Sequence, residues 1–180
     1  MKIKYFSLAA YLLLISASVV NADSFNGVNT QVPFGDLVSE NIYHYNRQTP
    51  YIATSGRLNG KAIEELGWLG FRTVLDLREP REGIASEKDE IEQAGILYYN
   101  IPVGHVWPDV VSLKKFKTIV EDKTNYPLLV HCMSGNRVGF MWSIYQIQEK
   151  HTPLEAAILQ GQTIGMKPEL EKLLRNHFKK

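Results

Sequence analysis

The sequence predicts a single α/β domain, a mainly parallel sheet of about four to five strands with helices on both faces. Three observations carry this expectation. From residue 50 onward, short apolar runs alternate with helical stretches, the pattern of strands joined by crossover helices. Pro127-Leu128-Leu129-Val130 reads as a short buried strand, and a few residues later Val138 to Ile147 is apolar nearly all round, as a helix in the middle of a fold would be. The length suits one domain with enough interior to bury a core without staples.

The elements follow in order. Tyr51-Ile52-Ala53 before Ser55-Gly56 predicts a first strand, and Lys61 to Trp68 a short helix ended by Gly67 and Gly70. Arg72 to Leu77 is a clear strand centred on Val74 and Leu75. The charged stretch Glu79 to Glu90, holding Pro80 and Gly83, predicts a solvated loop that passes into a helix near Ser86. Ile96 to Val103 is rich in aromatic and β-branched residues and closes at Pro102 and Gly104, as a strand would. Leu113, Phe116, Ile119 and Val120 fall at helical spacing with lysines on the other face, so this helix packs one side on the sheet. After Thr152, two amphipathic helices break near Gly165 and Pro168.

The two ends of the chain differ in character. Lys2 and Lys4 precede an almost wholly apolar or small run, Tyr5 to Val20, and Val20-Asn21-Ala22 offers small side chains where a signal peptidase cuts. Residues 1–22 are therefore expected to be a signal peptide, cleaved before Asp23, with the protein exported to the periplasm or secreted. The run is shorter than the 18 or so residues that a membrane span requires, so no stable membrane association is expected after cleavage. Residues 23–48 show no clean period and are expected to be irregular, with the folded domain at 49–180. Removing 22 of 180 residues leaves 158, with 18 basic and 19 acidic side chains and a formal charge of −1. That balance offers no electrostatic case for nucleic acid.

An exported chain meets an oxidising compartment, where cysteines pair. This chain has one, Cys132, so it is either an inert buried residue or a thiol kept for its reactivity. Its neighbours, His131-Cys132-Met133-Ser134-Gly135-Asn136-Arg137, stand between the buried strand and the buried helix. A turn there points successive backbone N–H groups inward, and the positive end of the helix dipole adds to them, so an anion is held without many side chains. Gly135 suits the backbone angles of such a turn, and Arg137 supplies a planar fork for two oxyanion oxygens. A cysteine at a helix N-terminus beside a guanidinium titrates at about 3.5–7.5 instead of about 8.5, which makes it a nucleophile at neutral pH. Cys132 and Arg137 are thus expected to be catalytic, with Met133, Ser134, Gly135, Asn136 and Arg137 forming the substrate cradle.

This loop resembles the active-site loop of cysteine-based protein phosphatases, in the bacterial dual-specificity-like branch. The segments Ser55-Gly56-Arg57, Gly70 to Arg78, Gly95 to Val103 and Leu129-Val130-His131-Cys132 are similar to that branch in order and spacing, so the resemblance spans about residues 50 to 165. It implies a protein tyrosine phosphatase-like fold and a phosphoric monoester hydrolase that works without a cofactor through a phosphocysteine, on a phosphorylated substrate such as phosphotyrosine or a phosphoprotein. Two departures stand out. Four residues separate Cys132 from Arg137 where the family has five, a length shared with rhodanese-like sulfurtransferases, in which the cysteine would carry sulfur. Val138 stands where the family has a hydroxyl residue that helps the thiolate leave, so turnover is expected to be slow. A phosphatase-like module that binds phosphorylated ligands without catalysis is the third reading.

Hydrolysis needs a proton donor. Asp109, in Trp107-Pro108-Asp109, resembles the acid of the tyrosine phosphatases, although an Asp here equally suits the N-cap of the helix that follows. His105 lies on the same connection, and an imidazole titrates near 6.5 when unperturbed. His131 is expected to support the loop without moving protons. Arg78 and Arg81 stand where a strand opens into a loop, the end at which ligands gather in parallel sheets, so Arg78 is expected to meet the substrate, while Asp76 reads as a buried hydrogen-bonding partner. The five histidines are scattered without ligand spacing, and no metal is expected.

Overall fold

The computed structural model describes residues 31–34 and 38–179; the expected signal peptide lies outside them. Five strands form one sheet in the order β1-β2-β5-β3-β4, comprising β1 (Asn46–Thr49), β2 (Ile52–Ser55), β3 (Thr73–Asp76), β4 (Leu97–Asn100) and β5 (Leu128–His131). The four strands from β2 to β4 across the sheet are parallel, and β1 adds an antiparallel edge. Among the described residues six α-helices complete the fold: α1 (Ala62–Trp68), α2 (Ile84–Gln93), α3 (Val110–Glu121), α4 (Asn136–Lys150), α5 (Leu154–Ile164) and α6 (Pro168–Phe178). Among the described residues no helix is long and apolar enough to cross a membrane.

The two-residue period of the strands decides which side chains meet which helices. Leu128, Val130 and Cys132 along β5, with Leu75 and Leu77 along β3, pack on one face with Phe116 and Val120 of α3 and Met141 and Trp142 of α4. Leu129 and Val74 point the other way, into a second core with Leu66 of α1 and Ile91 of α2. His131 and Asp76 share the parity of Leu129 and Val74, so they stand on the α2 side while Cys132 stands on the α4 side. The register sets Ser55, His131, Asp76 and Asn100 in one row across the sheet at its carboxyl edge.

Two boundaries differ from the expectation. Asn46–Thr49 is a strand that begins inside the segment read as irregular, because its four polar, half-buried residues take their conformation from pairing with β2, and no apolar period marks them. Just before it, Ile42 and Tyr45 are buried in the second core. The strand expected over residues 96–103 ends at Asn100, although Ile101 and Val103 still donate to the carbonyls of Asp76 and Leu77.

Candidate active site

The loop His131–Arg137 leaves the carboxyl end of β5 and enters α4 at Asn136. Gly135 turns it with φ +84°, and the backbone of the turn after α5 lies so close that a Cβ on Gly135 would collide with the carbonyl oxygen of Ile164. Gly165, φ +123°, faces back, and a Cβ there would come within 2.8 Å of the Ser134 oxygen. The loop is therefore clamped by backbone against backbone, with room for no side chain at either glycine. On its other flank Arg57 N–H donates to the Met133 carbonyl at 3.0 Å. Asn136 completes the anchoring. Its side-chain oxygen accepts from Lys167 N–H at 2.7 Å, so this side chain ties the loop to the start of α6.

Cys132 is fully buried and unpaired, at the floor of the loop, in the same apolar cluster as Val138. Val138 thus turns into the core and brings no polar group to the sulfur. Met133 is 41 % exposed and Ser134 half-buried, which puts these two residues on the outer rim.

Arg137 is held by a residue that the local sequence pattern does not single out. Glu82 accepts from Nη1 at 2.5 Å and from Nη2 at 2.7 Å, and Nη1 reaches the Val103 carbonyl at 3.4 Å. These bonds use three of the five guanidinium N–H groups. The Nε–H and the second Nη2–H, which share one edge of the plane, are left as a fork. The side-chain bond from Arg137 holds the Glu82 carboxyl below the usual carboxylate range, and the same bond raises Arg137, with the neighbouring Cys132 sulfur acting in the same direction. Each charge thus favours the ionised form of the other. Glu82 is posed by local structure: Pro80 starts a single turn, the Glu79 N–H donates to the Glu82 carboxylate at 2.7 Å, and Gly83 exits at φ +77°. The spacing Glu79-x-x-Glu82 around Pro80 signals such a turn in the sequence, but the partner 55 residues away is set by the fold alone.

Arg78 is a correction. It is 5 % exposed and donates to both carboxylate oxygens of Asp76, at 2.8 to 3.1 Å, and to Glu87 of α2. A guanidinium so enclosed cannot meet a substrate; it neutralises buried carboxylates behind the loop. Tyr98 O–H donates to Asp76 at 2.9 Å, and Asn100 spans the Asp76 and Arg78 carbonyls, so Asp76 is the buried hydrogen-bonding partner expected. His131 lies fully buried in this cluster, in keeping with a supporting part; burial pushes its imidazole down to about 4 against the pull of Asp76, so it is neutral. Among the described residues Asp76, Glu87 and His131 bring ligand atoms within 4.8 Å of one another. The Arg78 guanidinium bonds to both carboxylates, so a fixed cation of the protein already stands where a metal would.

The two expected proton donors part company. Asp109 caps α3, accepting from Ser112 N–H at 2.7 Å, and this backbone bond lowers its carboxyl below the usual range. It stands exposed and ionised, which suits a cap and opposes proton donation. His105 is exposed on the connection whose Val103 carbonyl touches Arg137. Arg81 is exposed and, among the described residues, bonds to Glu79 alone.

Comparisons with known proteins bear on the family and the fold. The model of a family described as DSP-PTPase phosphatase fused to NAD+ kinase matches residues 39–173. No curated protein matches the sequence. Among solved structures, a DUF442 protein from Shewanella putrefaciens CN-32 is similar at 23 % identity and TM-score 0.61, covering 81 % of this chain and 98 % of its own. TpbA of P. aeruginosa, solved in complex with phosphotyrosine, gives 19 % and 0.60, covering 73 % of this chain and 82 % of its own. The core catalytic domain of the PP-IP phosphatase SIW14 from S. cerevisiae gives 19 % and 0.59, covering 74 % and 85 %. At these identities the likeness shows the fold, a protein tyrosine phosphatase-like α/β domain.

Proposed function

Because the chain belongs to the family of DSP-PTPase phosphatases fused to NAD+ kinase, we propose that it hydrolyses a phosphoric monoester by nucleophilic attack of Cys132 on phosphorus. The single observation that carries this is the pairing, on one clamped loop, of a lone cysteine with an arginine that Glu82 and the Val103 carbonyl hold by three N–H groups, leaving one edge free. The Cys132 thiolate forms the S–P bond as the bond from phosphorus to the ester oxygen breaks. That oxygen takes a proton from His105. Water then attacks the phosphocysteine and gives its proton to His105, the S–P bond breaks, and phosphate and thiolate separate. Through both steps the Arg137 Nε–H and Nη2–H and the loop N–H groups hold the equatorial oxygens, where charge is greatest.

An aryl ester such as phosphotyrosine is the substrate class best supported. The Tyr43 ring lies beside the loop, since a Cβ at Gly56 would meet both its Cδ1 and the Met133 oxygen, and Arg57 lies over that ring at 4.7 Å. The resulting rim pairs an aromatic ring with one guanidinium, Arg57, and the loop residues Met133, Ser134, Gly135 and Asn136 add no further cation to favour a polyphosphate. The apolar run before Asp23 supports export, so the phosphorylated partner is placed outside the cytoplasm; fractionation and N-terminal sequencing of the expressed protein, with Asp23 first, check this.

The test is phosphate release from phosphotyrosine peptides, aryl phosphates, inositol phosphates and nucleotides by the wild type and Cys132→Ser. Release from the aryl esters is expected, with the variant at buffer level. Thiocyanate formation from thiosulfate and cyanide without phosphate release would instead make the loop a sulfur carrier, and vanadate binding without turnover would make it a binding module. The proton donor gives a separate result: His105→Ala is expected to lower kcat about 10²- to 10⁴-fold, whereas Asp109→Asn, which preserves an N-cap, is expected to stay within about threefold, a split that steady-state kinetics on p-nitrophenyl phosphate reads directly.

A further inference from the structure

Behind the loop, the cluster of Asp76, Arg78, Glu87 and His131 holds more negative than positive groups. Arg78 is its one guanidinium, against the carboxyls of Asp76 and Glu87, and it bonds to both. Were Glu87 ionised and His131 neutral, one buried negative charge would stand unpaired, which is costly. The imidazole has a complementary defect. Its ring nitrogens are buried and neither has a hydrogen-bond partner among the described residues, yet Nε2 stands 3.3 Å from the Glu87 carboxyl and 3.7 Å from that of Asp76. A carboxylate has no proton to offer Nε2, whereas a carboxylic acid does. One proton on Glu87 therefore removes the excess charge and gives Nε2 its bond.

We propose that Glu87 is a positioning residue for this site: as a buried carboxylic acid it donates to Nε2 of His131 and thereby fixes the Nδ1–H tautomer, whose proton is directed at the backbone of the catalytic loop. The ring faces the backbone of Gly56 and Cys132, each one residue beyond the paired positions Ser55 and His131. Which nitrogen of an imidazole carries the proton is set by the bond the other makes. When Glu87 loses its proton, Nε2 must take one up to meet a carboxylate, and Nδ1 turns a lone pair toward backbone oxygens; the support under Cys132 is then lost.

The groups facing Glu87 are Asp76 from β3 and Arg78 just beyond it, His131 from β5, and Glu90 from its own helix, with Tyr98 of β4 bonded to Asp76 behind them. Burial, the largest influence, pushes the Glu87 carboxyl up to about 7 against the pull of Arg78. Glu87 is also the member with a route to solvent. Its side chain is 13 % exposed, against 7 % for Arg78 and none for Asp76 and His131, and it borders a surface cleft of about 300 Å3 with Gly83, Ser86 and Glu90. Because a raised carboxyl holds its proton below its folded value and releases it above, the supporting tautomer is present on the acid side of about pH 7 and lost on the alkaline side.

The tautomer itself is the decisive measurement. Long-range 1H–15N spectra of histidine-labelled wild type are expected to show His131 as Nδ1–H at about pH 6 and as Nε2–H at about pH 8.5. In Glu87→Gln the amide N–H replaces the acid as donor, so the Nδ1–H form is expected throughout; in a His105→Ala background, where the proton donor's own ionisation no longer sets the limb, the alkaline limb of kcat/KM for p-nitrophenyl phosphate is expected to move up by about one pH unit or more with Glu87→Gln. A wild-type tautomer that does not change across this range, an Nε2–H form at about pH 8.5 in Glu87→Gln, or an alkaline limb unmoved by Glu87→Gln in the His105→Ala background overturns the proposal. Should Glu87→Gln not fold, the wild-type titration decides by itself. The kinetic arm rests on the phosphatase reading and the spectroscopic arm does not, so a tautomer change in a protein that releases no phosphate supports the positioning role while removing the proposed reaction.

Discussion

Arg137→Lys is expected to lower kcat on an aryl phosphate by about 10²–10³-fold, the cost of one lost oxyanion donor, while leaving the fold intact. Lysine keeps the charge but loses the plane. In the native site Glu82 and the Val103 carbonyl occupy three N–H groups and orient the remaining edge, Nε–H with Nη2–H, as two parallel donors at fixed spacing. An ammonium has three donors without that geometry, and Glu82 would draw it away from the cradle. Glu82→Gln probes the same device from the other side. Losing a charge-assisted bond is worth about 1.5–3 kcal/mol, or roughly 10- to 100-fold in kcat/KM. Combined with Arg137→Lys it is expected to add little more, because a holder has no effect once the fork is gone. Steady-state kinetics of the two single variants and the double variant reads the coupling. Tighter vanadate binding by Glu82→Gln would reverse the assignment, making Glu82 a competitor for the fork.

Gly135→Ala is expected to destabilise the protein by about 2–5 kcal/mol and to abolish phosphate release in whatever remains folded. A left-handed backbone costs an L-residue about 1–2 kcal/mol, and a side chain forced into filled space about 1–3 kcal/mol. Both apply here, since φ is +84° and the obstacle is the carbonyl oxygen of Ile164, a backbone atom at the end of α5 that cannot rotate aside. Whatever relief occurs must move either the loop or the α5–α6 turn. In the first case the N–H groups leave the positions that hold the anion. In the second, Gly165 separates from the Ser134 oxygen and the clamp opens. A lower urea midpoint at unchanged slope is the expected reading; a midpoint equal to that of the wild type would show that the loop is not clamped.

Legibility in the sequence depended on whether the signal is local. The fold class was legible because buried strands and amphipathic helices impose short periods on the residues themselves, as Leu128-Leu129-Val130 and the Leu113, Phe116, Val120 stripe did. The anion cradle was legible for the same reason: cysteine, glycine and arginine lie within one turn, and their chemistry requires nothing distant. β1 was not, because four polar residues at a sheet edge owe their conformation to β2. Arg78 was misread because a strand end in a parallel sheet is where ligands gather, and the sequence does not say that Asp76 and Glu87 close over the guanidinium. Asp109 kept two readings until the bond from Ser112 showed its carboxyl engaged as a cap.

The sequence by itself determined that this chain would be one α/β domain carrying a thiol and a guanidinium on a loop between a buried strand and a buried helix, since those properties follow from residue type and spacing along a few turns of chain. Only the tertiary structure decided which groups hold that loop in its working geometry, namely Glu82 on Arg137, Gly165 on Gly135, and Glu87 beside His131. Each of these joins segments tens of residues apart, and such contacts are set by how helices and sheet pack, which no local pattern encodes.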